Sequence, residues 1–363
     1  MTRLNRLASW AQTPLLLVCL TLVVALVGVA GDVTVARVAT LTLVAVVFVT
    51  GLSTFTGNSG VMSFGHVTFM AMGAYTTAYL TIPVPLKRSL FADLPGPLEW
   101  LAEIQASFPV ALLAGGLVAT VLGLVTAPVV ARLSGLQSGI ATLALLLITY
   151  NVLNSWTEVT RGSSSMIGIP QSTTTWSAFG VAASVIVAAW AYRCSRSGLQ
   201  LQASREDFWA AQAAGISVGR HRATAWVLSS FVCGLSGALY AGYLTSFNVN
   251  GFFLAATFSF VVMVVVGGYL SLSGAVVGAI GISVLQELLR RLQDGQFTGG
   301  SELPPGVADL IVAAVLLVVL VRSPYGLMGV RELRLPSRRE RDGAEDQAGE
   351  VEPAGVPRDG VRG

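Results

Sequence analysis

Residues 194–222 read CSRSGLQLQASREDFWAAQAAGISVGRHR. The stretch holds Arg196, Arg205, Arg220 and Arg222, the acids Glu206 and Asp207, and an alanine-rich centre, in a chain of which only 11% is charged. About 29 residues cannot bury a core of their own, so this is no soluble domain. It can form one short helix at a membrane face, a surface suited to receiving a second protein. On both sides, at 176–192 and 223–245, the sequence is strongly apolar. Each flank is long enough to cross roughly 30 Å of hydrocarbon as a helix. The stretch is therefore an insert between two spans. Backbone groups in lipid must pair within their own segment, so the fold class is all-α: a polytopic transmembrane helical bundle.

The rest of the chain agrees. Hydrophobic residues make up 53% of 363 positions, with a mean hydropathy of +0.71. Ten spans are expected, at about 13–30, 34–55, 64–82, 108–131, 135–154, 176–192, 223–245, 254–270, 274–292 and 306–321. Arginine and lysine near span ends set the orientation. With both termini cytoplasmic, Arg3, Arg6, Arg132, Arg193, the insert, Arg322 and the arginines after it fall inside. Only Arg37, Lys87, Arg88, Arg161, Arg290 and Arg291 fall outside or at the outer boundary. Residues 1–330 thus form one transmembrane domain with its insert at about 194–222. From residue 331 the chain is polar and without aromatics, a composition that cannot offset the entropy of ordering, and 331–363 is expected to be a disordered cytoplasmic tail. The first span also has the form of a secretory signal ending in Gly28-Val29-Ala30, but its apolar stretch is longer than most such signals. The outer loop 83–107 contains four prolines. It reads either as a solvated connector or as carrying a short interfacial helix with Trp100, Leu101 and Ile104 on one face.

Chemistry of its own is not in evidence. Cys19, Cys194 and Cys233 lack metal-ligand spacing, and His66 and His221 are too isolated for a metal site. No phosphate-binding loop, zinc-protease motif or nucleophile elbow occurs. The chain is expected to hold no catalytic residue, metal or cofactor, and any ATP-consuming chemistry must belong to another chain.

Two glycine-rich breaks interrupt apolar sequence. The first is GNSGVMSFGH at 57–66, followed by Gly73; the second is GGYLSLSG at 267–274, followed by Gly278. Such breaks persist at membrane depth only where they pack on protein or line a wet cavity. One in each half is how many transporters build a pathway. Close helix packing through small residues is the alternative for single glycines. For the first cluster the pathway reading is preferred, with Gly57, Asn58, Ser59, Gly60, Ser63, Gly65 and His66 as candidates. Ionisable residues are almost absent from the spans, which weighs against proton coupling. Glu287 sits near the outer end of its span, within helical reach of Arg290 and Arg291.

In the insert, Ser204 is expected to cap a helix whose first turn holds Arg205, Glu206 and Asp207, in a capping-box spacing. Ala210, Ala211, Ala213 and Ala214 supply helix propensity with little bulk, and Gly215 supplies a left-handed stop. Alone, so short a helix is marginal in water.

SREDFWAAQAAGI resembles the coupling loop of ABC-importer permeases, specifically the branched-chain amino-acid permease family (the LivH/LivM type). GNSGVMSFGHVTFMAMGAY, RLSGLQSGIATLAL, TRGSSSMIGIP, SGALYAGYL, VVGGYLSLSGAVVGA and RSPYGLMG agree in order and spacing, over most of residues 50–330. The resemblance implies a permease subunit in a bacterial cell membrane. It works with a homologous permease, two ATPase subunits and an extracytoplasmic solute-binding protein, and with no nucleic acid. By position, Arg205, Glu206, Asp207, Ala210, Ala211 and Gly215 form the ATPase-coupling helix, and residues 57–66 help line the pathway. Phe208 and Gln212 stand where the family commonly has acidic residues. The implied cargo is a small neutral or zwitterionic solute, most often a branched-chain or related amino acid; relatives with similar motifs carry urea, short amides or sugars. A self-sufficient secondary transporter or channel is the rival outside this class.

Overall fold

A computed structural model describes residues 3–91, 95–96, 99–293, 306–323, 326–329 and 332–333. Its helices are α1 Arg3–Ala30, α2 Val33–Ser59, α3 His66–Thr81, α4 Val84–Leu90, α5 Trp100–Glu103, α6 Phe108–Arg132, α7 Gly135–Ser155, α8 Thr157–Thr160, α9 Thr175–Cys194, α10 Arg196–Glu206, α11 Phe208–Ala213, α12 Val218–Leu244, α13 Leu254–Gly267, α14 Leu272–Gln293 and α15 Val307–Arg322. Each of the ten expected spans coincides with one of them. By length and composition, eight helical segments among the described residues can cross a membrane: α1, α2, α6, α7, α9, α12, a segment over 249–267 that includes α13, and α14. The remaining two, α3 and α15, are 16 residues each. At 1.5 Å per residue that is about 24 Å.

Helix α12 occupies the centre and packs against α6, α3 and α2. Glycine lets these backbones touch. A Cβ on Gly73 of α3 would lie 2.0 Å from the Gly234 carbonyl of α12, and one on Gly237 would lie 1.9 Å from the Met70 carbonyl. Gly73 is therefore a packing glycine, as the alternative for single glycines has it. Trp226 is fully buried beside Phe55 and Phe69, and its indole N–H donates to Thr126 Oγ1 at 2.9 Å. On α6 the residues turned from this core, among them Leu117, Val121, Leu124 and Val125, are exposed and apolar. A helix apolar on its outer face as well as its inner one is built for lipid.

The end away from the insert is closed by loops. The stretch TRGSSSMIGIP is pinned to the end of α12 by paired bonds between Met166 and Phe247 (2.7 and 3.1 Å). The loop at 83–107 carries α4 and the one-turn α5, with Trp100 and Ile104 exposed. Lys87 holds it. Its ammonium is fully buried and donates to the carbonyls of Tyr79 (2.7 Å), Leu101 (3.2 Å) and Ile104. Burial pushes its pKa below the ordinary lysine value, while three carbonyls hold the proton in place.

Of the expected tail, Glu332 and Leu333 are described and contact the bundle; residues 331 and 334–363 lie outside the described residues.

Candidate functional site

The insert is two helices, not one. Ser195 caps α10, its Oγ accepting from Gly198 N at 3.2 Å. Ser204 is not a cap: it lies inside α10, buried, with its hydroxyl donating to Leu201 O at 2.7 Å. The chain turns extended at Asp207 (φ −145°), and the Asp207 carboxylate caps α11 by accepting from Ala210 N at 2.9 Å. Asp207 supplies what Ser204 does not, because a carboxylate suits the positive end of a helix and Ser204 is engaged by α10's own carbonyl.

The stop at Gly215 is as expected. Its φ is +81°, its N–H donates to Gln212 O (2.9 Å), and Ile216 N–H donates to Ala211 O (3.0 Å). That bond pair is the Schellman arrangement. Ala211 is buried against the body of the protein, whereas Ala210, Gln212, Ala213, Ala214 and Gly215 are exposed and Trp209 is 77% exposed. Arg205 and Glu206 end α10, so the six coupling candidates span two helices, the turn between them and the following stop.

The inner face of the insert reaches the first break. Helix α2 leaves the carbonyls of its last turn without intrahelical partners; that of Thr56 is met by the following glycine and that of Gly57 by the insert, while Asn58 and Ser59 turn back onto the preceding turn. Asn58 Nδ2 donates to Thr54 O (2.8 Å), Ser59 Oγ to Phe55 O (2.7 Å), and Gly60, at φ +69°, donates from its backbone to Thr56 O (2.9 Å). Gly57 O accepts from Arg205 Nη1 at 2.7 Å. Beyond Gly60, Val61 N donates to Ser59 Oγ (3.2 Å) and Phe64 N to Thr142 Oγ1 of α7 (3.1 Å). The chain then enters α3 at His66. His66 is buried, with Nδ1 2.8 Å from Ser63 Oγ and Nε2 2.8 Å from Ser229 Oγ, and with Phe55, Phe69 and Trp226 around the ring. It is a hydrogen-bonded packing histidine in this conformation. Of the seven pathway candidates only Gly60 is exposed. Asn58 borders a small crevice with Ser53, Thr54, Arg193 and Leu272.

The second break is closed from elsewhere. The carbonyls of Val266 and Gly267, at the end of α13, accept from the backbone of Leu327 (2.9 Å) and Met328 (3.0 Å), after α15. The first amides of α14 point at a carboxylate: Leu272 N and Ser273 N each donate to Glu332 at 3.0 Å, and Ser273 Oγ donates at 2.6 Å. Glycine is obligatory between the two helices. A Cβ on Gly267 would sit 1.9 Å from Gly274 O, and one on Gly278 would sit 2.0 Å from Met263 O.

Arg193, at the end of α9, joins the two breaks. Its Nε pairs with Glu332 at 3.0 Å, its Nη2 donates to Leu270 O at 2.8 Å, and its Nη1 lies 3.4 Å from Asn58 Oδ1. Gln202 of α10 completes the knot, donating to Asn58 Oδ1 and to Arg193 O, both at 3.0 Å. The pair is largely withdrawn from solvent, with side-chain exposures of 13% for Arg193 and 9% for Glu332. Charges so placed need every partner they have.

Arg193, Gln202 and Glu332 are not among the candidates drawn from sequence. Arg193 carries one usable signal, a charge at the last turn of an apolar span. Gln202 and Glu332 carry none, since their roles depend on where distant segments meet. Among the described residues no cluster of side chains is suited to a metal.

A family model described as "Branched-chain amino acid transport system / permease component" matches residues 34–321. The chain is similar to the "Probable branched-chain amino acid transport permease protein LivH" of Methanocaldococcus jannaschii, at 26% identity over 242 residues, covering 62% of this chain and 74% of that one. It is also similar to the "High-affinity branched-chain amino acid transport system permease protein LivM" of Escherichia coli, at 24% identity over 325 residues, covering 80% of this chain and 69% of that one. The protein of the same name from Salmonella typhimurium stands at the same identity and length. No solved structure matches.

Proposed function

The chain belongs to the branched-chain amino acid transport system permease family, and from that premise we propose that it is the membrane subunit of an ATP-driven importer in a bacterial cell membrane. It is a multi-pass membrane protein of a transporter family rather than an enzyme. In the proposed complex it pairs with a homologous permease. An extracytoplasmic binding protein delivers a small neutral or zwitterionic solute, and two ATPase subunits supply the work.

One observation carries the reading. The exposed face of α11 (Trp209, Ala210, Ala213) is mounted on a segment whose opposite face grips α2 through Arg205 and Gln202, beside Arg193 at the second break. A push on α11 therefore has a polar path to both breaks. Small side chains let a partner's backbone come close. In this scheme Arg205, Glu206, Asp207, Ala210, Ala211 and Gly215 form the coupling element, and residues 57–66 are the part of the pathway it moves.

The test is co-purification with the ATPase and uptake into vesicles. Ala210→Arg changes only an exposed position, so it should abolish ATPase association and ATP-driven uptake with no shift in thermal stability. Ala211→Arg should instead unfold the insert, because Ala211 is buried. Uptake by the isolated chain on an ion gradient, without an ATPase, would establish the secondary-transporter reading instead.

A further inference from the structure

Where α6 ends and α12 begins, at the insert's end of the bundle, the two helices abut. A Cβ on Gly219 would lie 3.5 Å from the Ala131 carbonyl. Into this corner α12 sends Arg222, which is 5% exposed. Among the described residues its guanidinium makes one hydrogen bond, from Nη1 to Leu133 O, and its Nε is buried without an acceptor. No ion pair among the described residues includes it. Arg193 and Arg205 are also withdrawn from solvent, but each has a carboxylate partner, Glu332 and Glu206. A buried cation left with one carbonyl is unfavourable, and an anion is what relieves it.

The nearby acids of the insert are engaged elsewhere: Glu206 pairs with Arg205, and Asp207 caps α11. What surrounds the corner is positive. Arg132, the last residue of α6, is exposed, and the start of α12 presents the positive end of a helix with no side-chain bond from Ser217. His221 turns away to the insert, with Nδ1 2.9 Å from Ser197 Oγ. Val121, Val125 and Val129 follow one another at four-residue spacing on the exposed face of α6, in a row that ends at Arg132. From Val121 to Arg132 that row offers about 16 Å of helix. Leu136, after the turn into α7, is exposed as well.

We propose that this corner binds an anionic phospholipid from the leaflet on the insert's side. The phosphate lies against Arg222 and Arg132, and one acyl chain runs along Val129, Val125 and Val121. Basic pockets between membrane helices hold anionic headgroups by the same means. A free phosphate or a partner's carboxylate would use the charge and leave the apolar row unused; a lipid uses both. The inference stands whether or not the chain works in an importer.

The experiment is native mass spectrometry of the full chain in detergent, titrated with dioleoylphosphatidylglycerol, dioleoylphosphatidylcholine or inorganic phosphate. Phosphatidylglycerol should bind about tenfold more tightly than phosphatidylcholine. Arg222→Gln should remove that preference, Arg132→Gln should reduce it about threefold, and Arg222→Lys should keep most of it. Arg322→Gln, an exposed charge at the end of α15, should leave it unchanged. In phosphatidylcholine nanodiscs Arg222→Gln should melt at or above wild type, because it removes an unmatched buried charge. A melting temperature lower by about 5 °C or more would mean that the protein itself satisfies Arg222, and would overturn the site. Equal affinity of wild type for the two lipids, or a preference that survives Arg222→Gln, also overturns it. Displacement of phosphatidylglycerol by millimolar inorganic phosphate would assign the corner to a free anion and overturn the lipid. Loss of ATPase association in Arg222→Gln with lipid preference intact would assign it to a partner's carboxylate instead.

Discussion

The two helix breaks face one problem and meet it differently. At the first, between α2 and α3, the freed backbone groups find partners mainly among nearby polar side chains: Ser59, Ser63 and Thr142, with Arg205 reaching in from the insert. At the second, between α13 and α14, the break itself contributes Ser271 and Ser273. The rest comes from Arg193 and from the chain after α15, as two backbone amides and the carboxylate of Glu332. Side-chain partners can rotate and be exchanged. Backbone partners held by interlocked glycines cannot. The first break is thus expected to be the more adaptable, and the second, where two backbone amides and interlocked glycines add to the side chains, the more rigid.

The sharpest way to break this contrast is Gly267→Val. Its Cβ meets the Gly274 carbonyl rather than a flexible side chain, so the second break should lose about 4 kcal/mol or fail to assemble. Thermal unfolding followed by size-exclusion in detergent reads the outcome; a wild-type profile would mean that the second break is not rigid. Next come Glu332→Ala and Arg193→Ala. Each strips one partner from a largely buried pair and should cost about 3 kcal/mol. The double variant should lose clearly less than the sum. Additive losses in this double-mutant cycle would show that the two breaks are not linked through Arg193.

At the adaptable end the effects should be smaller. Arg205→Ala leaves the Gly57 carbonyl without its partner, at about 2 kcal/mol. Its main effect should appear in ATP-dependent uptake rather than in melting temperature; equal uptake in wild type and variant would detach the insert from the first break. Smallest is Asp207→Ala, which removes the cap of α11 for about 1 kcal/mol. Amide hydrogen exchange should rise over residues 208–213 and leave α14 unchanged. Faster exchange in α14 as well would mean that the two regions do not differ as argued.

Much of this was legible before any coordinates. Span positions follow from apolar run length, and the existence of both breaks follows from glycine and serine where lipid tolerates no free backbone. Gly215 was legible as a helix stop because only glycine accepts a left-handed conformation at no cost. The cap was misassigned, since Ser204 and Asp207 are both good capping residues and only the turn at Asp207 decides between them. His66 was grouped with the pathway candidates, and its packing role could not be read because its two serine partners lie 3 and 163 residues away. The polar composition after residue 330 gave no hint that Glu332 would return to cap α14.

What this sequence determines by itself is a membrane bundle with one charged insert and two interruptions, because the solvent dictates which stretches must be helical and where charge can stand. What tertiary structure alone decided is the wiring. Which residue closes which break depends on contacts between segments tens to hundreds of positions apart. One arginine at the end of α9 joins α2 to α14 only because packing around α12 brings those ends together. Periodicity and composition carry no information about that meeting.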